Sequence, residues 1–159
     1  MIKEPTFENL PSKEDFYYDG GCDERYAINN YHGKNIDFML KKCKSSFPLG
    51  IFGDFYLVGT KAFRYYIFAV FRYIQEALDT RDIDMLLEIT DTVSMTVNLI
   101  TKHLDENQKD MEYIAPYIKE FSKWAIENYE FFDINEEIYG NVKEKWQELI
   151  KKVEELYEV

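Results

Sequence analysis

The chain has 159 residues, of which 46% are hydrophobic and 31% charged, and its net charge is −11. Such a length fits one domain that buries roughly 68–70% of its unfolded surface, and the composition excludes a disordered chain. The acidity disfavours nucleic-acid binding, because phosphates are repelled, and favours a basic protein partner.

Residues 1–19 read as an irregular arm, punctuated by Pro5 and Pro11 and pinned by Phe7, Leu10, Phe16, Tyr17 and Tyr18. The opening MIKEPTFENLPSKED has no apolar run of the kind a signal peptide needs, so a cytosolic setting is expected. Cys22 and Cys43 are too few for a disulfide framework and are expected as free thiols. Gly20-Gly21 marks a turn, Asp23 sits where a helix cap belongs, and a short helix over Glu24–Tyr31 should stop at Gly33. A second short helix runs from Ile36 to about Lys44, capped by Asn35, with Ile36, Met39, Leu40 and Cys43 as its apolar face. Phe47 to Gly50 reads as a loop.

The segment Gly59–Leu78, GTKAFRYYIFAVFRYIQEAL, is the centre of the pattern. Phe63, Tyr66, Ile67, Val70, Ile74, Ala77 and Leu78 fall at helical spacing, and Tyr65, Phe68, Ala69, Phe71 and Tyr73 widen the apolar arc. A helix apolar on most sides belongs inside a bundle. It could begin as early as Asp54, with Gly59 then a weak or close-packed point inside it. A membrane span is rejected: the longest uncharged run, Tyr65 to Phe71, covers seven residues, against the roughly 20 a span requires.

A long helix over about Asp82–His103 follows, with Ile83, Leu86, Thr90, Val93, Val97, Ile100 and Leu104 as its seam and a kink expected near Thr90–Thr92. Another segment, about Gln108–Tyr129, is interrupted by Pro116, which either starts a new helix or kinks the old one. The last helix, about Glu136–Tyr157, has Ile138, Val142, Trp146, Leu149, Val153 and Leu156 as its seam, with Gly140 inside at a cost of about 1 kcal/mol. No strand alternation or hairpin dipeptide occurs. The expected fold is all-α, a single domain over 1–159 of about five or six helices around a central aromatic-rich helix.

Three constellations could carry function. Arg25 and His32 lie seven apart, so one helix through both would place them on one face, able to hold a phosphate and move a proton. This Arg-x6-His spacing resembles the loose motif of all-helical HEPN ribonucleases, although Tyr26 stands where that motif has a polar residue. The resemblance implies RNA cleavage with Arg25 and His32 as catalytic residues; the net charge opposes it, though Arg25, Lys34, Lys41, Lys42 and Lys44 could form a local basic groove. The alternative is that Arg25 forms a salt bridge and His32 merely precedes the glycine stop.

Ala62–Ala69, AFRYYIFA, resembles the AFRYYLPA helix of uncharacterised bacterial all-helical families, some near toxin–immunity loci, with Phe68 in place of the proline. That likeness implies a binding site of Arg64, Tyr65 and Tyr66, with Asp19 and Asp23 beside them. The structural alternative pairs Arg64 with one of those two carboxylates. Asp84, Glu88 and Asp91 share a helix face and could hold a divalent ion, but a solvated face is the expectation.

Phosphate-cradling glycine loops, Cys-x-x-Cys pairs and nucleophile elbows are absent from the sequence, and no cofactor or metal is expected. Two functions stand: a small acidic cytosolic binding module, immunity- or antitoxin-like, that neutralises a basic partner; and a helical ribonuclease built on Arg25 and His32. No membrane association is expected, and a homodimer is compatible with either function.

Overall fold

The computed structural model describes residues 1–18, 24–46 and 48–159, and for residues 46, 48 and 49 the main chain only. The expectations placed on Asp19, Gly20, Gly21, Cys22, Asp23 and Phe47 lie outside the described residues. Among the described residues there is no strand, and the all-α class read from the sequence is the observed one. No helix there is long and apolar enough to cross a membrane.

The N-terminal segment carries one 3-10 turn, Glu14–Phe16, and leads to α1 (Arg25–Tyr31) and α2 (Ile36–Ser46). Then comes a helix where a loop was expected, α3 (Pro48–Tyr56). Proline suits the first helical position, where its missing N–H has no partner to lose, so Pro48 starts this helix rather than preventing it. Gly59 is therefore not inside the central helix: it caps α4 (Thr60–Thr80).

The close approach at Gly59 is real. Its N–H donates to the Phe16 carbonyl at 3.0 Å. A Cβ there would collide with the carbonyl oxygens of Asp15 and Tyr17. Glycine is what lets the arm lie against the helix start. The arm is held again at its other end. Arg72 bridges Glu4 of the arm and Asp37 of α2, the latter at 2.8 Å. Phe7 packs edge-on to Tyr65, with ring centroids 5.0 Å apart.

α4 is the buried axis, packed by α2, the 3-10 turn and α5 (Ile83–Glu106), and also by the short α6 (Gln108–Met111). Residues Tyr65 through Phe71 are all buried. Cys43 of α2 is buried as well, and burial pushes its thiol up to about 12, so it behaves as an apolar side chain. Arg81 ends α4 in the left-handed conformation, φ 53°. Asp82 then caps α5 by accepting from the Met85 amide at 3.1 Å.

The threonines of α5 do not interrupt it. Thr92, Thr96 and Thr101 turn their hydroxyls back to carbonyls four residues earlier, at 2.6–2.8 Å, and the helix runs through Thr90–Thr92 unbroken. α7 (Ala115–Glu127) restarts the chain with Pro116 in its first turn. It packs on α9 (Val142–Tyr157), where Phe121 stacks on Phe71 at 3.9 Å and meets Trp146 at 5.6 Å.

The last expected helix is two helices. Gly140 adopts φ 74° and ends α8 (Glu136–Tyr139), so its cost inside a helix never arises. Asn141 then caps α9. Val142, Trp146, Leu149 and Val153 are buried as expected, but Ile138 lies on the far side of the break and is exposed.

Candidate functional site

Tyr66 is fully buried, and its hydroxyl shares its proton between the carbonyls of Tyr31, at 2.6 Å, and Lys34, at 2.9 Å. Those carbonyls belong to the end of α1 and the start of the connection to α2, so Tyr66 locks that corner to α4. Tyr65 is buried against Phe7 and Tyr66. Burial raises the titration of both phenols, which stay neutral hydrogen-bonding groups.

Arg64 is half-buried and donates to the Asp110 carbonyl at 2.9 Å, with Tyr113 alongside at 5.9 Å. The pairing of Arg64 with Asp19 or Asp23 lies outside the described residues. Asp110 sits in α6, where carbonyls lack helical partners, and its free carbonyl accepts from the guanidinium. Arg64 also lines an open cleft of about 390 Å³ with Glu8, Asp15 and Tyr113.

The helix that carries Arg25 stops at Tyr31, one residue before His32. His32 takes extended backbone and is half-buried, edge-on to Phe16 at 6.4 Å. Arg25 is exposed at the first helical residue.

The histidine to which the sequence assigns no role, His103, is held through both ring nitrogens. It is fully buried and stacked on Phe63, with ring centroids 3.9 Å apart and planes within 6°. Nε2 lies 2.9 Å from the Phe55 carbonyl and Nδ1 lies 3.0 Å from the Thr60 hydroxyl. A carbonyl only accepts, so Nε2 carries the proton and Nδ1 accepts from Thr60. Burial pushes His103 down to about 4. The ring therefore ties α3, α4 and α5 together as a neutral group. A closed cage of this kind leaves no nitrogen for an external ligand.

The molecule opens outward at the start of α5. Ile83 and Leu87 lie one turn apart on this helix, 74% and 68% exposed. Leu86 and Phe131 line a cleft of about 260 Å³ with Leu78, Asp79, Arg81 and Asn128. Phe131, in the 3-10 turn Tyr129–Phe132, is 62% exposed, and Ile138 of α8 is 71% exposed.

Hydrogen bonds bring these elements together. Thr90 donates to the Asp133 carbonyl at 3.1 Å, and the Tyr139 hydroxyl donates to Asp91 at 2.5 Å. Leu87 stands three and four residues before those two anchors.

The surroundings are acidic. Residues 79–91 hold five carboxylates against one arginine, and residues 127–137 hold five with no basic residue. Lys143 and Lys145 of α9 are the nearby cations, the first 6.0 Å from the Tyr129 ring and the second donating to the Tyr139 carbonyl. Asp84, Glu88 and Asp91 belong to this acidic surface. Among the described residues no group of three or more His, Cys, Asp or Glu side chains is placed to hold a metal.

Sequence periodicity assigned Ile83 and Ile138 to core seams, and both are at the surface. The overlooked signals were the boundaries. Asp82 caps the helix so that Ile83 is its first residue, beyond the reach of α4, and Gly140 turns the chain so that Ile138 leaves the α9 register. A seam that runs past its core partner is what exposes apolar side chains here.

Compared with known proteins, the chain matches no family model, no curated protein and no solved structure.

Proposed function

We propose that the chain is a protein-binding module whose partner is a basic, amphipathic helix, docked on the α5–α8 end through Ile83, Leu87, Phe131 and Ile138. The observation that carries the reading is the exposure of these four apolar side chains on elements joined by the Thr90–Asp133 and Tyr139–Asp91 hydrogen bonds, in segments rich in carboxylates. Large exposed apolar groups rimmed by charge mark interaction surfaces. Apolar anchors supply affinity, while the carboxylates select a cationic partner and speed the encounter. Neutralisation of a basic toxic protein is the sharpest form of this function. It is supported by the net charge and by the resemblance of Ala62–Ala69 to a helix of uncharacterised bacterial families, some of them near toxin–immunity loci.

The test is calorimetric titration with a synthetic helix of Leu and Lys at amphipathic spacing. Binding should weaken with salt and fall at least tenfold in Ile83→Ser/Leu87→Ser, while the thermal midpoint stays put. Equal binding by the double variant, or none by the wild type at low salt, would sink the reading.

A further inference from the structure

We propose that the solvent face of α2 is a binding surface for single-stranded nucleic acid, separate from the acidic end. In a chain of net charge −11, residues 25–46 hold five basic residues, of which Lys44 is paired with Glu76 at 2.6 Å, and one acidic residue. That one carboxylate, Asp37, is bound by Arg72 at 2.8 Å. Phe38, Lys41, Lys42 and Ser45 recur at helical spacing opposite the buried Met39 and Cys43, and together they line an open groove of about 410 Å³.

The basic groups are interleaved with aromatic rings. The Lys34 ammonium stands 5.0 Å from the Phe38 ring centroid, and Lys42 stands 4.9 Å from the Tyr31 ring. Phe38 is 38% exposed.

Lysines beside an exposed ring are the combination that holds single strands: ammonium groups follow the phosphates while a base stacks on the ring. An acidic peptide would use the lysines and leave the ring idle. A membrane would want several apolar side chains, and this face offers one. The overall negative charge does not forbid the contact, because at about 0.1 M salt charges more than roughly 10 Å away are largely screened. The proposal concerns binding and involves no cleavage step.

The experiment is fluorescence anisotropy of the full chain with labelled oligouridine and oligothymidine of about 15 nucleotides, a length that spans one such site. Three lysine–phosphate contacts predict an affinity that falls about 20-fold between about 50 and 200 mM salt. Lys41→Glu/Lys42→Glu should weaken binding at least tenfold, and Phe38→Ala about fivefold. Lys151→Glu on α9 should change it less than twofold. Circular dichroism melts confirm that each variant is folded.

Tighter binding of one oligonucleotide over the other says whether RNA or DNA is preferred, and either supports the proposal. It is overturned by no binding at low salt or by affinity unchanged in the double variant. Equal affinity for polyglutamate or phosphatidylserine vesicles, with no loss in Phe38→Ala, overturns it as well.

Discussion

The centre of α4 and the start of α5 carry the same kind of apolar repeat, yet one is sealed and the other is open. Around α4 every large side chain finds a partner: Phe71 has Phe121, Phe63 has His103, and Tyr66 has two carbonyls. At the start of α5, Ile83 of the seam and its neighbour Leu87 are 74% and 68% exposed. The difference teaches that apolar spacing reports what a helix could bury, whereas its neighbours decide what it does bury. Aromatic richness in the centre is structure, and the modest apolar group at the end stays exposed.

The sharpest way to break that comparison is to truncate one side chain in each region. Phe121→Ala removes a fully buried ring from between Phe71 and Trp146 and should cost about 3–5 kcal/mol in chemical denaturation. Leu87→Ser should stay within about 0.5 kcal/mol of the wild type. Comparable losses at the two sites would mean that the end is part of the core.

Acid should find the centre before the end. His103 has its folded value lowered to about 4 from an ordinary 6.5 by burial, so the unfolded chain binds the extra proton between those values. Its stabilising neutrality is fully present above pH 6.5 and is lost as pH falls toward 4, by about 3 kcal/mol in all. Stability measured against pH in the wild type and in His103→Gln should differ by a slope confined to that window. Parallel curves would remove His103 from the account.

Gly59→Ala forces a Cβ onto the Asp15 and Tyr17 carbonyls. It should cost about 2 kcal/mol and release the arm to limited proteolysis ahead of the helices. Tyr66→Phe is the mildest break. It removes the hydroxyl that serves two carbonyls and should cost about 1–2 kcal/mol, read by thermal melting.

How legible the molecule was in its sequence follows from these same residues. The central helix and the Pro116 restart were readable because their signals are local: periodicity and a missing N–H. The α3 helix was not, because Pro48 and Gly50 argue for a loop when read as composition, while proline at a first helical position argues the reverse. Gly140 reads as a tolerated defect, since nothing local distinguishes a glycine inside a helix from one with positive φ between two.

The candidate site was harder still. Tyr65 and Tyr66 look alike as binding or packing residues, and only the fold shows them sealed. Arg64 donates to the main-chain carbonyl of Asp110, a partner that a reading of side-chain types does not reach. Ile83 and Ile138 were visible as apolar but not as exposed, because exposure depends on where the neighbouring elements end.

The most direct test of the account is NMR mapping of the docking end. Amide and methyl spectra would be followed while a Leu/Lys amphipathic helix is titrated into the intact chain. The account predicts shifts concentrated at Ile83, Leu87, Phe131 and Ile138, with Phe63, Tyr66 and Phe121 unmoved. Shifts centred elsewhere, or a spectrum indifferent to the helix, would contradict it.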